Sequence, residues 1–479
     1  MELGNLLVLA KLITAEQLND ALDRQMGNSG RLGDHLVAAG YMTEQALAKF
    51  LATFPVEPGN IEAIGIDELD LLGLLMKQIY TARLRSTPEF ADAIKLPRHI
   101  VTELVRQATE RKLLYAKGVR PDNAAIMTYD LTDEGRRWAM DALDRSQYNG
   151  PAPVTLEQFN HQVNLQKITN EVVTFQRVRG SLSDLDMENT LLEQAGPALN
   201  SGRAILLYGP PGNGKTTFAL RLANVFTDII YIPYSVVVEG LIIRVYDPSI
   251  HIAVVKDVAD GQDSPFLRGE EVDARWVPIK RPFVVAGGEL NLEMLDLRYD
   301  PVSKLYEAPL HMKALGGCFV IDDFGRQLVS PTDLLNRWIV PLESRTDYLK
   351  LHTGKSFNIP FDELVIFSTN LEPEDLMDPA FLRRLPYKIE IGAPSVELFK
   401  RIFAKECLAQ GIKVSDEVLD SIVHRIRVDK ELDLAAFQPR FILEQVVASC
   451  RFAEQGITLE PRFLDYALDN LRVRRATKA

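Results

Sequence analysis

Gly209-Pro210-Pro211-Gly212-Asn213-Gly214-Lys215-Thr216-Thr217 decides how the rest of this chain is read. Every specified position of the pattern G-x-x-x-x-G-K-[ST] is filled. The apolar run Ala204-Ile205-Leu206-Leu207-Tyr208 precedes it and reads as a buried strand, and Phe218-Ala219-Leu220-Arg221-Leu222-Ala223 follows and reads as a helix. Strand, loop and helix in that order are what phosphate binding needs. Glycines let backbone N–H groups turn inward around phosphate oxygens, and the helix N-terminus adds the positive end of its dipole. In such a loop Lys215 reaches the β- and γ-phosphates and the Thr216 hydroxyl ligates Mg²⁺. The stretch implies a nucleoside triphosphate and does not say what its energy is used for.

At 479 residues the chain is too long for one compact core, and its length predicts about three domains. A hydrophobic share of 46% with 25% charged residues belongs to an ordinary soluble protein. The net charge of -12 argues against a surface that coats nucleic acid, although a local basic patch is compatible with it. Cys318, Cys407 and Cys450 lie far apart, without metal-ligand spacing, and predict a reducing compartment. No signal-type segment opens the sequence, and the apolar stretch 229–245 is interrupted by Pro233, Glu239 and Arg244. The expectation is a cytoplasmic protein with no membrane span.

The motifs after the phosphate loop narrow the class. Gly317-Cys318-Phe319-Val320-Ile321-Asp322-Asp323 is an apolar strand ending in two acids, the Walker B arrangement. Asp322 would hold Mg²⁺ through its water shell, and Asp323 would orient or deprotonate the attacking water. Val365-Ile366-Phe367-Ser368-Thr369-Asn370 is another buried strand that ends polar. Asp378-Pro379-Ala380-Phe381-Leu382-Arg383-Arg384 follows, then the strand Tyr387-Lys388-Ile389-Glu390-Ile391, then Gln438-Pro439-Arg440 at the start of a long amphipathic helix. Asp323-Phe324-Gly325 spells a kinase triplet, but no His-Arg-Asp loop precedes it and the phosphate loop is of another class.

In this order the motifs resemble those of the AAA+ ATPases, over roughly residues 178–471. The resemblance implies ATP with Mg²⁺, and it gives Asn370 the sensor 1 position beside the attacking water. Arg383 or Arg384 takes the arginine finger that enters the next subunit's site, with Arg384 nearer the expected position, and Arg440 takes sensor 2 on a helical lid. It also implies a homo-oligomer, a hexameric ring. Ser330-Pro331-Thr332 starts a helix that should stop near Val340 because Pro341 follows. The stretch 347–361 then reads as a β-hairpin before the sensor 1 strand, a placement that resembles the branch with MoxR-type ATPases, magnesium chelatase and enhancer-binding activators. The pair Asp322-Asp323 departs from the family's Asp-Glu, and the shorter acid should either slow hydrolysis or act through a second water. The stretch 281–315 looks strand-rich and reads as an inserted hairpin.

Ahead of this region lie two smaller units. Leu3-Gly4-Asn5-Leu6-Leu7-Val8 recurs as Leu32-Gly33-Asp34-His35-Leu36-Val37, each copy followed by a helix with Thr14 or Thr43 as its N-cap. The repeat resembles the MshEN-type N-terminal domain of type II secretion and pilus ATPases, in which paired copies bind cyclic di-GMP. Arg31, Leu32, Gly33, Leu36, Val37 and Gly40 fit that motif, whereas the first copy has Glu2 and Lys11 where the family has Arg and Gly. Swapping a cation for an acid weakens an anion site. From Ile66 to Tyr148 the order helix, helix, turn, helix, hairpin, helix resembles a winged helix-turn-helix domain, with Leu131-Thr132-Asp133-Glu134-Gly135-Arg136 after the wing. Between residues 81 and 120 Arg83, Arg85, Lys95, Arg98, Arg106, Arg111, Lys112, Lys117 and Arg120 outnumber Glu89, Asp92, Glu103 and Glu110, which makes DNA a candidate partner.

The expected fold is therefore a multidomain α/β chain. A MshEN-like helical repeat spans 1–55, a winged-helix-like unit 66–148, a linker 149–177, a doubly wound parallel sheet 178–393 and a helical lid 394–479. The expected activity is ATP hydrolysis coupled to remodelling of a macromolecular client, with the N-terminal units as regulators or addresses. Two alternatives stand beside it: a DNA-associated regulator addressed by the winged helix, and a slow ATP-dependent assembly switch. The basic end, Arg472, Arg474, Arg475 and Lys478, reads as a solvated tail.

Overall fold

Five parallel strands form the sheet that carries the motifs: β1 (Ile205–Tyr208), β2 (Phe283–Ala286), β3 (Cys318–Ile321), β4 (Leu364–Ser368) and β5 (Tyr387–Glu390). Their spatial order is β5-β1-β4-β3-β2. The structure is a computed structural model that describes residues 4, 7–8, 12–27, 32–51, 53–120, 123–254, 272–376 and 379–471. The chain is thus a mixed α/β protein with a parallel sheet. The three central strands β1, β3 and β4 are apolar because both faces are covered, while edge strand β5 exposes Lys388 and Glu390. Ile205, Leu207, Cys318, Val320, Leu364 and Ile366 pack with Leu192, Leu199, Phe218 and Leu222 of the helices Asn189–Ser201 and Lys215–Ala223. The alternate residues Leu206, Phe319, Ile321, Val365 and Phe367 pack with Leu334, Leu335 and Trp338 of the helix Pro331–Ser344. Each such side chain contributes roughly 1.5–3 kcal/mol by leaving water.

The helix Pro331–Ser344 starts as expected, with the Ser330 hydroxyl accepting from the Asp333 N–H at 3.1 Å. It does not stop at Pro341. An interior proline costs about 3 kcal/mol, and here Trp338 and Leu342 are buried on either side of it. The Arg345 N–H closes the last turn onto the Pro341 carbonyl at 3.0 Å, with Arg345 in the left-handed region at φ 56°. The hairpin expected after it pairs Thr346–Lys350 with Ser356–Pro360.

The chain between Walker A and Walker B is larger than one inserted hairpin. Phe283–Ala286 belongs to the parallel sheet, while Leu292–Leu295 forms a 3-10 turn capped by Asn291 rather than a strand. Arg298–Asp300 and Leu305–Glu307 form a hairpin that continues a second sheet with Leu241–Arg244, Ser235–Val238 and Val154–Thr155. Ile229–Pro233 pairs with Trp276–Lys280 beside it. Residues 149–177, expected to connect two domains, supply the strand Val154–Thr155 and the helix Leu156–Leu165. Phe159 and Val163 of that helix share one core with Tyr306, Leu349, Phe357 and Ile359.

In the N-terminal unit Thr14 and Thr43 cap their helices, accepting from Gln17 N–H at 3.2 Å and Ala46 N–H at 3.1 Å. The repeat glycines are packing glycines. A Cβ on Gly33 would lie 2.6 Å from a Leu47 methyl, and one on Gly4 would lie 2.4 Å from a Leu18 methyl. Past this unit the chain is tied to the segment that leads into Trp276–Lys280: the Asp273 N–H donates to the Pro55 carbonyl at 2.9 Å, and Val56 bridges Val272. The next unit holds the helices Glu68–Ala82, Thr87–Ile94 and Arg98–Glu110, the hairpin Leu114–Arg120 with Asn123–Leu131, and the helix Asp133–Arg145. Val396–Ala409, Asp416–His424, Gln438–Phe452 and Pro461–Asp469 form the C-terminal helical unit around a core of its own.

Two consequences can be measured. A Cβ on Gly135 would sit 2.1 Å from the Leu113 carbonyl oxygen, a backbone atom that cannot step aside. Gly135→Ala should speed amide exchange across Asp133–Arg145 by about 5- to 150-fold, reflecting about 1–3 kcal/mol of overpacking. Glu363, just before β4, is fully buried, and neither carboxylate oxygen has a hydrogen-bond partner among the described residues. Burial pushes its pKa well above the usual carboxylate value, against the pull of Arg345 and with the added push of Asp362 and Asp347. A raised folded-state pKa means that the folded protein keeps a proton the unfolded chain gives up, so stability falls as pH rises above the unfolded value. Glu363→Gln should raise the melting temperature at pH 8.5, with the gain vanishing near pH 4.

Candidate functional site

The phosphate loop leaves β1 at Gly209, whose φ of 130° and close approach to the neighbouring chain both require glycine; a Cβ would lie 2.6 Å from the Ile391 carbonyl oxygen. Gly212 and Gly214 follow in the left-handed region at φ 80° and 87°, and the helix Lys215–Ala223 begins on Gly214. Lys215 is 6% exposed and folds back across the loop, donating to the carbonyls of Gly209 and Pro210, both at 2.8 Å. Burial holds its pKa below the ordinary lysine value, opposed by Asp323 and Asp322.

The two acids arrive from β3. The Thr216 hydroxyl donates to Asp322, whose carboxylate oxygens lie at 2.9 and 2.8 Å. The backbone at Asp322 is held on both sides, with its N–H on the Ala286 carbonyl and its carbonyl accepting from Gln327. Asp323 turns outward at φ 49°, is exposed, and accepts a hydrogen bond from the Asn370 amide at 3.0 Å. Three cross-strand bonds set this geometry: Phe324 N–H to the Ser368 carbonyl, the Thr369 hydroxyl to the Phe324 carbonyl, and Thr369 N–H to the Leu207 carbonyl.

Thr216 and Asp322 present facing oxygen donors of the kind Mg²⁺ takes from a protein, one or two ligands with nucleotide phosphates and water filling the rest. Among the described residues no group of three or more His, Cys, Asp or Glu is placed to hold a metal by itself.

Beside the loop lies a cavity of about 410 Å³. Met187, Leu191, Tyr208, Ile391, Leu398 and Ile402 supply apolar wall, Asp186, Glu188 and Glu390 supply polar groups, and Asn213 joins it to the phosphate loop. A planar base and a sugar fit such a lining. The sequence reading missed this cavity, because its walls come from four separate segments. The local signal is Gly392-Ala393-Pro394, which follows β5 and lines the cavity. A shallower depression of about 780 Å³ along Leu156–Asn164 carries none of the loop's groups.

The structure brings Lys215, Thr216, Asp322, Asp323 and Asn370 together. The arginines sit apart from them. Arg384 is half-buried and donates to Glu343 at 2.6 Å, while Arg383 on the same turn is exposed. Asp378 lies outside the described residues. Arg440 is 75% exposed and pairs with Glu444 at 2.8 Å; the segment just before it, not Arg440, touches the phosphate loop. In the N-terminal unit Glu2, Lys11 and Arg31 lie outside the described residues, as do Arg472, Arg474, Arg475 and Lys478. On the helix Arg98–Glu110, Arg106 is paired with both Glu103 and Glu110; nearby Arg111 pairs with Glu68 and Lys117 with Asp130. No helix of the described residues is long and apolar enough to cross a membrane.

A family model described as a domain of unknown function (DUF8689) matches residues 395–470, the C-terminal helical unit alone. No curated protein matches the chain. Among solved structures, a point mutant of RuvB from Thermotoga maritima aligns at 15% identity with a TM-score of 0.33, covering 64% of this chain and 73% of that one. NtrX from Brucella abortus in complex with ADP aligns at 13% identity and TM-score 0.37, covering 72% and 68%. Domain III of the replication initiation protein DnaA from Thermotoga maritima aligns at 13% and 0.32, covering 64% and 96%. TM-scores this far below 0.5 carry no argument about this chain; the strand order and the site geometry do.

Proposed function

We propose that the chain is an ATPase of the AAA+ type that couples hydrolysis at this site to remodelling of a macromolecular client. It would work as a homo-oligomeric ring, a hexamer, with the two N-terminal units as regulator or address. One observation carries the reading: Lys215, Thr216, Asp322, Asp323 and Asn370 converge at the carboxyl ends of three adjacent parallel strands, with Thr216–Asp322 contacts of 2.8–2.9 Å and an Asn370–Asp323 contact of 3.0 Å.

The roles follow from the geometry. Loop N–H groups and the Lys215 ammonium, exchanging its carbonyl partners for phosphate oxygens, gather negative charge around the γ-phosphoryl group. Thr216 and Asp322 would hold Mg²⁺, which when bound neutralises phosphate oxygens. Asp323 takes the proton of the attacking water, and Asn370 keeps its carboxylate aimed. Of the two candidate fingers, Arg384 is engaged in its own subunit by Glu343, which leaves exposed Arg383 to enter a neighbour's site. Asp323, shorter than the usual Glu, also supports slow turnover, the regime of an assembly switch. The paired charges around the helix Arg98–Glu110 favour a protein client over DNA for the 66–148 unit.

Lys215→Ala should abolish binding of a fluorescent ATP analogue, whereas Asp323→Asn should keep binding and lose turnover by at least about 10²-fold. A wild-type chain that neither binds ATP nor releases phosphate with Mg²⁺ present would overturn the reading. Arg383→Ala should cost roughly 10³-fold in turnover, and Arg384→Ala much less. Because the finger acts in trans, mixing Arg383→Ala with Lys215→Ala subunits should restore part of the activity. Mixed rings as inactive as their parents would place the finger elsewhere.

A further inference from the structure

Among the described residues, the C-terminal helical unit is hydrogen-bonded to the phosphate loop through one segment, residues 436–437. The Phe437 N–H donates to the Gly212 carbonyl at 2.9 Å, and the Ala436 N–H donates to the Asn213 side-chain oxygen at 3.1 Å. The Phe437 ring lies over Gly212 so closely that a Cβ there would meet its Cδ1 at 2.4 Å. Gly212 is thus glycine for two independent reasons, its φ of 80° and this ring. The segment that makes the contact is itself braced. Buried Gln438 accepts from the Ala435 N–H at 3.0 Å and donates to the Asp433 carbonyl at 2.9 Å, and Phe437 packs edge-on against Phe441 with ring centroids 6.2 Å apart.

Asn213 is 6% exposed and stands between two cavities, the 410 Å³ one beside β1 and β5 and a second of about 230 Å³ between Pro210-Pro211 and Leu432–Gln438. The helical unit has a second tie to the α/β body at Lys405, which donates to the Asp184 carbonyl at 2.6 Å and the Asp186 carboxylate at 3.1 Å, so a tilt about that tie is felt at the Asn213 and Phe437 contact. Phe437, half of whose surface is still open, is the exposed side of the same joint.

We propose that Asn213 and Phe437 are positioning residues that form a latch through which the tilt of the C-terminal helical unit is transmitted to the phosphate loop. A tilt of the helical unit pulls on the Gly212 carbonyl and the Asn213 side chain. That shifts the loop N–H groups and Lys215, which directly follow, and so couples client-driven or neighbour-driven movement of the unit to phosphate alignment. Arg440, turned to Glu444, has no part in this joint. The consequence for turnover rests on the ATPase reading; the latch itself does not.

The test uses the full chain and two readouts. Amide exchange of peptides covering residues 209–217 should speed up at least about 10-fold in Phe437→Ala and in Asn213→Ala. It should be unchanged in Phe437→Tyr, which restores the ring, and in Arg440→Ala. Exchange in β3 and β4 should stay at the wild-type rate in all four, which separates loss of the latch from misfolding. In turnover, Phe437→Ala should lower kcat about 10-fold with KM within about 3-fold, the pattern of a group that aligns rather than binds. Unchanged loop exchange in both Phe437→Ala and Asn213→Ala, or equal acceleration in Arg440→Ala, would overturn the latch. A wild-type chain without turnover would overturn the ATPase reading instead, with the exchange arms still deciding the latch.

Discussion

Everything at the site depends on β4 lying between β1 and β3. Phe367 pairs with Ile321 on one side and with Leu206 on the other, so the three strands end level with one another. The residue after each strand end is then a site residue or its neighbour: Gly209 opens the phosphate loop, Asp322 meets Thr216, and Thr369 positions Asn370. A slip of one residue in β4 would send Phe367 and Val365 to the opposite face, out of the Trp338 cluster, because side chains alternate with period two. Core packing and the site geometry therefore enforce the same register.

The parts outside the sheet are fastened to it by buried charge. Glu171 is 3% exposed on its side chain, pairs with Arg281 and Arg177, and accepts from the Thr227 N–H at 2.8 Å. One carboxylate thereby joins the segment before the sheet to the loops after the phosphate-loop helix and before β2. Asp347, at the start of the hairpin that precedes β4, is held by His311 at 2.8 Å and by Arg337 at 2.7 Å, and its pKa is driven down by these partners against the cost of burial. Buried pairs of this kind contribute little net stability once desolvation is counted, whereas removing one partner strands the other and costs about 3–5 kcal/mol. Here they tie the hairpin before β4, and the loops after the phosphate-loop helix and before β2, to the body that carries the site strands.

Against this body the C-terminal helical unit is attached at the phosphate loop and through Lys405, which reaches Asp184 and Asp186. Its own core is complete, built from residues such as Phe399, Phe403, Ile442 and Val446. Its contact with the phosphate loop is two hydrogen bonds and one ring, flanked by open space. An element with its own core and a narrow joint is suited to move as a unit, whereas the sheet, buried on both faces, is not. The division of labour inside the proposed ATPase follows: chemistry sits on the rigid sheet, and the movable part is joined where the phosphates would lie.

How much of this was legible beforehand follows from what is local. The phosphate loop, the acid pair, the polar end of β4 and the helix caps at Thr14, Thr43 and Ser330 are local patterns, since each depends on neighbours within a few residues, and the sequence by itself determined them. Repetition of Leu-Gly…Leu-Val also announced a small helical repeat, because the same glycine must admit the same leucine in each copy. Tertiary structure alone decided the rest. The helix running through Pro341 needs Trp338 and Leu342 buried in a core that no local pattern describes. The second sheet draws strands from before the phosphate loop and from both ends of the long insert. The base-sized cavity is walled by four distant segments, and the seating of Phe437 on Gly212 joins residues far apart in the chain. Spacing told which residues could serve a phosphate; only the packing of the helical unit showed which of its residues reach the loop.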